Sequence, residues 1–155
     1  MPPSKPTSPQ QQLESFIDRY SPQVAAIARA VLTELRTQLP GATEFVYDKQ
    51  SSLVIGFGPC ERPSEAIISV ALYSKWVNLY FIDGAFLPDP EKRLIGTGNQ
   101  VRRIQIKDAS ILVEPAVRTL IREAMLAADT PFTSISPRRL EIRAVATRPR
   151  SSRRR

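Results

Sequence analysis

From Glu44 to Lys107 the apolar residues of this chain recur at every second position, and on either side of that stretch they recur every third or fourth. A period of two belongs to strands with one covered face, and a period near 3.6 belongs to helices. Five alternating segments, Glu44–Lys49, Leu53–Phe57, Ala66–Tyr73, Trp76–Ile82 and Val101–Lys107, therefore lie between helices. Strands that follow one another through short polar connections pair antiparallel. The expected fold is α+β, a mostly antiparallel five-stranded sheet with helices packed on one face.

The flanking helices are legible in detail. Leu13, Phe16, Ile17 and Tyr20 share one helical face. Ser21-Pro22 is an N-cap followed by a first helical position, and Val24, Ile27, Ala28, Val31, Leu35 and Leu39 form the apolar stripe behind it. Pro40-Gly41 ends that helix. Glu114-Pro115 opens the last one, with Val117, Leu120, Ile121, Ala124 and Ala128 inward. Residues 1–11, rich in Pro, Ser and Gln, read as a disordered leader, 12–128 as the domain, and 129–155 as a linker with an Arg-rich end. Leu140, Ile142, Ala144 and Ala146 alternate within it, which allows a late edge strand over 140–146.

Alternation also assigns the two faces of the sheet. Ile68, Val70, Leu72, Val77, Leu79, Phe81, Ile104 and Ile106 should meet the helices. The opposite face receives Ser69, Ala71, Tyr73, Trp76, Asn78, Tyr80, Arg103 and Gln105, polar with aromatic inserts.

Charge and composition remove whole classes of chemistry. The 155 residues include no histidine and one cysteine, which excludes His-based relays, disulfide frameworks and Cys-cluster metal sites. Eight of the 22 basic side chains and one of the 15 acidic ones fall in residues 138–155, which accounts for the formal +7; the remaining 137 residues balance at 14 against 14. The body is therefore neutral and the basic pI belongs to the end of the chain. No apolar run approaches the ~18 residues of a membrane span, so a cytoplasmic protein without a membrane partner is expected.

The run Lys75-Trp76-Val77-Asn78-Leu79-Tyr80-Phe81, then Gly84-Ala85, Leu87-Pro88-Asp89-Pro90, Gly96, Gly98 and Gln100-Val101-Arg102-Arg103-Ile104, resembles the YdhG-like family of small bacterial domains. The similarity extends from about Leu13 to Ala128, and Leu140–Arg150 resembles the basic ending of some members. The resemblance implies a frataxin-like fold, with an iron-chaperone role attached to a related branch. It brings no catalytic residues to this chain.

Candidate sites follow from the residues. Gly96, Gly98 and Gln100, between Lys92-Arg93 and Arg102, form a loop whose free N–H groups and neighbouring cations suit a phosphate or carboxylate. The plainer reading is a turn that needs positive φ. Arg102 shares the core-facing side of its strand, where a guanidinium requires a partner; a structural pair with Asp83 or Asp89 is preferred over a ligand clamp. Tyr73, Trp76 and Tyr80, with Arg103 and Lys107, have the composition of a base-stacking face. They lack an RNP-like pattern, and coverage by strand 140–146 or by a second subunit is the favoured expectation. Arg148, Arg150, Arg153, Arg154 and Arg155 suit nonspecific attraction to nucleic acid. Glu14, Asp18, Glu34, Glu44 and Asp48 are too dispersed for tight iron binding. Cys60 reads as a passive loop thiol.

The functional expectation is a non-enzymatic binding module without a cofactor, with a homodimer among the states the sequence allows. Its site is placed where the loop 84–100, Lys75 and Arg102 converge, to take a small anionic ligand or an acidic partner. Nucleic-acid binding through the Arg-rich end and frataxin-like iron binding are the alternatives.

Overall fold

The computed structural model describes residues 8–146. Helices α1 (Pro9–Ile17) and α2 (Pro22–Gln38) precede strands β1 (Thr43–Asp48), β2 (Leu53–Gly58), β3 (Ile68–Leu72), β4 (Val77–Phe81) and β5 (Arg102–Ile106). Helix α3 (Pro115–Leu126) and strand β6 (Arg139–Val145) complete the domain.

The first helix begins earlier than its apolar spacing indicates, and takes in three residues read from sequence as leader. Ser8, Pro9 and Gln11 explain it. The Ser8 hydroxyl accepts from the Gln11 N–H at 3.1 Å, and the Gln11 side chain accepts from the Ser8 N–H at 3.3 Å. Pro9 stands at the first turn, where its missing N–H costs nothing. Ser21 caps α2 as expected, its hydroxyl accepting from the Val24 N–H at 3.2 Å.

The sheet has six strands in the order β5-β4-β3-β2-β1-β6. The first five form the expected antiparallel meander. The expectation of five strands is corrected by β6, which is a full member of the sheet and lies parallel to β1. The reason is where the linker delivers the chain. Gly41, at φ +76°, lets the segment before β6 pass so close that a Cβ would collide with the Thr133 carbonyl oxygen. The Arg139 N–H then reaches the Ala42 carbonyl at 3.4 Å. The chain thus re-enters the sheet beside the start of β1 and can only run alongside it.

One face of the sheet carries the core. Ile55, Phe57, Val70, Leu72, Leu79 and Phe81 are fully buried, and Leu13, Ile17, Val31, Leu35, Val117 and Leu120 come from the helices onto them. Two carboxylates share this apolar face. Glu44 is wholly buried, bidentate to Arg36 of α2 at 2.8 and 2.9 Å and bonded to Arg138 at 3.0 Å. Asp48, almost as buried, takes Arg19 at 2.6 Å. Both are read as structural pairs, since a buried carboxylate without a cation would be strongly unfavourable. A variant lacking both cations, Arg36→Ala with Arg138→Ala, is expected to lose about 3–5 kcal/mol of unfolding free energy in urea titration. Arg29→Ala, which breaks exposed pairs with Glu14 and Asp18, should cost only about 0.2–1 kcal/mol.

Candidate functional site

The loop between β4 and β5 spends its polar groups on itself. The Asp89 carboxylate accepts from the N–H groups of Arg93 and Leu94 at 2.8 and 2.9 Å. These two N–H groups lie just before the expected Gly96–Gln100 cradle and are taken by the protein's own side chain. Gly96 adopts φ +145°, so its glycine serves the turn, while Gly98 lies in open space. Gln100 donates to Asp83 at 2.8 Å.

Arg102 pairs with neither Asp83 nor Asp89, contrary to the preferred expectation. Its guanidinium donates to the carbonyls of Gly98 at 2.7 Å and Val101 at 2.9 Å. Asp83 is taken by Gln100 and Asp89 by two backbone N–H groups, while Gly84 carries a short turn so close to β5 that a Cβ there would stand 2.5 Å from the Arg102 Cβ. The side chain, half-buried, closes the loop it leaves. Gly96, Gly98, Gln100 and Arg102 are therefore brought together, but Lys75 is not. In the register Phe81 faces Arg102 and Val77 faces Ile106, so Lys75 lies at the far end of β4, roughly 20 Å away at ~3.3 Å per residue.

A cleft of about 200 Å³ lies beside this loop, between the β2–β3 connection and the end of α3. Ile67, Phe81 and Ala124 form part of its apolar wall, and Glu65, Asp83 and Asp129 line it too. The Glu65 carboxyl is held below its ordinary range by the Thr130 hydroxyl and then by Arg62. Such a lining has the wrong sign for an anion. Cys60, half-buried, lies in the same connection.

The outer face of the sheet has the opposite character. Across β3, β4 and β5 the register sets Ser69 beside Tyr80 and Arg103, and Ala71 beside Asn78 and Gln105. Tyr73 and Trp76 close the hairpin above them, with ring centroids 5.9 Å apart and planes at 41°. The Tyr73 and Tyr80 hydroxyls share a hydrogen bond of 3.0 Å, and the Asn78 amide donates to Tyr80 at 3.2 Å. Burial, then the hydrogen bond to Tyr80, pushes the Tyr73 phenol up to about 12. Together Tyr73, Trp76, Asn78, Tyr80, Arg103 and Gln105 line a shallow concavity of about 460 Å³.

Coverage of this face by strand 140–146 is overturned, because β6 extends the sheet at its other edge instead of crossing it. Trp76 is 46% exposed. Arg103 is held in place by two backbone bonds to Ile95, at 2.8 and 2.9 Å, yet its exposed guanidinium makes no ion pair among the described residues. Sequence alternation identified every one of these residues, but assigned the binding role to Arg102, its neighbour. The arginines at 148, 150 and 153–155 lie outside the described residues.

No family model matches the chain, and no curated protein or solved structure matches it. Among the described residues no helix is long and apolar enough to cross a membrane.

The phenol pair makes stability depend on alkaline pH. The folded Tyr73 keeps its proton above the ordinary phenol range, so between about pH 10 and 12 the unfolded chain binds fewer protons and stability falls as pH rises. Urea midpoints across this window should decline in the native sequence, and Tyr73→Phe should flatten the decline.

Proposed function

We propose that this chain is a non-enzymatic binding module, related to the YdhG-like domains, whose ligand is an anion bearing a flat ring. The ligand lies on the outer face over β3, β4 and β5. The observation that carries this reading is the juxtaposition of Arg103, exposed and without an ion pair among the described residues, with the half-exposed ring of Trp76. A guanidinium supplies charge and directed donors, and an indole supplies a stacking surface. The Gln105 side chain, exposed beside them, supplies a further donor and acceptor.

This position replaces the one expected from sequence. The loop 84–100 is the weaker place for an anion, since Asp89 brings its own charge to the Arg93 and Leu94 N–H groups and the Arg102 guanidinium is engaged by the Gly98 and Val101 carbonyls. The iron reading lacks a donor set, because no group of three or more His, Cys, Asp or Glu side chains comes together among the described residues. Glu44 and Asp48, the most buried carboxylates, are taken by arginines. On the outer face an enzymatic reading has no carboxylate among the lining residues to serve as general base. The Tyr73 phenol is held protonated.

Trp76 is the only tryptophan in the chain, so its emission reports on this face alone. Titration with a mononucleotide such as adenosine monophosphate should quench it in a saturable manner, whereas inorganic sulfate at equal ionic strength should not. Arg103→Ala should weaken binding at least several-fold, and Trp76→Ala, followed calorimetrically, by about 1–3 kcal/mol. Saturable binding that both variants leave unchanged would place the ligand elsewhere.

A further inference from the structure

We infer that the occupant of this face is single-stranded nucleic acid, laid along β5 with a base on Trp76, an assignment that rests on the reading above. Shape is the first reason. The concavity is shallow and lies on an open sheet, while a small molecule is ordinarily held by a pocket that buries most of its surface. A face of this form gains affinity by repeating contacts along a polymer.

Length is the second. Arg103 and Gln105 point outward from β5, and Lys107, next beyond its end, continues the same alternation. From Arg103 to Lys107 is about 13 Å at ~3.3 Å per residue. That is the span of about four stacked bases at ~3.4 Å each, so an oligomer can meet both cations where one nucleotide brings a phosphate to only one.

Charge is the third. Lys75 precedes Trp76 in the β3–β4 turn, so Arg103, Lys107 and Lys75 surround the aromatic group, and none makes an ion pair among the described residues. The strands carry no carboxylate on this half of the face. Asp108, the nearest acid along the chain, is turned to accept from the Ser110 N–H at 2.9 Å. A second copy of the chain would bring like charges together here. An acidic peptide would meet the cations but leave the indole without a flat partner.

The same geometry sets what is recognised. Bases must be unstacked from a duplex to lie on Trp76, so a single strand is selected over a double one. Asn78 is 8% exposed and bonded to Tyr80, leaving Gln105 as the exposed amide able to meet a base edge. One such group gives little sequence preference, as in stacking-based single-strand binders.

The test uses the full chain and oligothymidylates of one to ten nucleotides, read by Trp76 emission. Saturable quenching should tighten at least tenfold from the mononucleotide to about four nucleotides and then level off. Arg103→Ala with Lys107→Ala should reduce the slope of log Kd against log salt by about 1.4, at ~0.7 per phosphate contact on a single strand. A duplex of equal length should quench far less. If the mononucleotide quenches as tightly as the longer oligomers, the face holds a single nucleotide: the earlier reading stands and this inference falls. If oligomers bind without quenching and the double variant binds equally well, they bind elsewhere, and the inference again fails. Sedimentation showing that Trp76 is buried in a dimer, or quenching by a poly-glutamate peptide alone, would equally overturn it.

Discussion

A buried carboxylate holds the architecture together. Glu44 stands on the core face of β1 with no solvent contact, and its charge is tolerable only because Arg36 and Arg138 reach it. Those two arginines belong to α2 and to the segment entering β6. One anion thereby fixes the helical layer and the last strand to the same point on β1. Much of its worth lies in specificity, since it penalises any arrangement in which β6 or α2 is displaced. The Arg139–Glu61 ion pair adds a second, exposed tie to the β2–β3 connection.

The local rules of the chain were highly legible. Period-two alternation located five strands and both faces, because each strand has one covered side and the register aligns the apolar rows, as Ile55 with Val70 and Val70 with Leu79. The parallel placement of β6 was not legible. It depends on Gly41 and the linker passing in contact across more than 90 residues of sequence, which no local periodicity encodes. The early start of α1 was available in Ser8, Pro9 and Gln11, but a Pro-rich composition masked the capping box.

The candidate site was legible as a set of residues and illegible as a set of partners. Sequence placed Arg102 and Arg103 correctly on opposite faces. It could not show that the backbone of 98–101 would satisfy Arg102 while Arg103 kept its guanidinium free of ion pairs among the described residues. Likewise Asp89 takes the N–H groups of Arg93 and Leu94 through bonds only four and five residues long, a competition between neighbours that spacing leaves undecided. Lys75 and Arg102, close in motif, are separated by the length of β4 once the register is set.

The antiparallel order of the meander has an electrostatic consequence. The β1–β2 and β3–β4 turns and the end of β5 all lie at the same end of the sheet, so Lys49, Lys75 and Lys107 gather there. β6, running with β1, ends there as well. At the opposite end Glu44 is shared by Arg36 and Arg138, and Glu61 and Glu65 pair with Arg139 and Arg62, so three carboxylates face four arginines. What distinguishes the lysine end is that Lys49, Lys75 and Lys107 make no ion pair among the described residues, while the arginines named at the other end are all paired. A polyanion approaching by diffusion would meet a molecule already oriented by its own field, lysine end first.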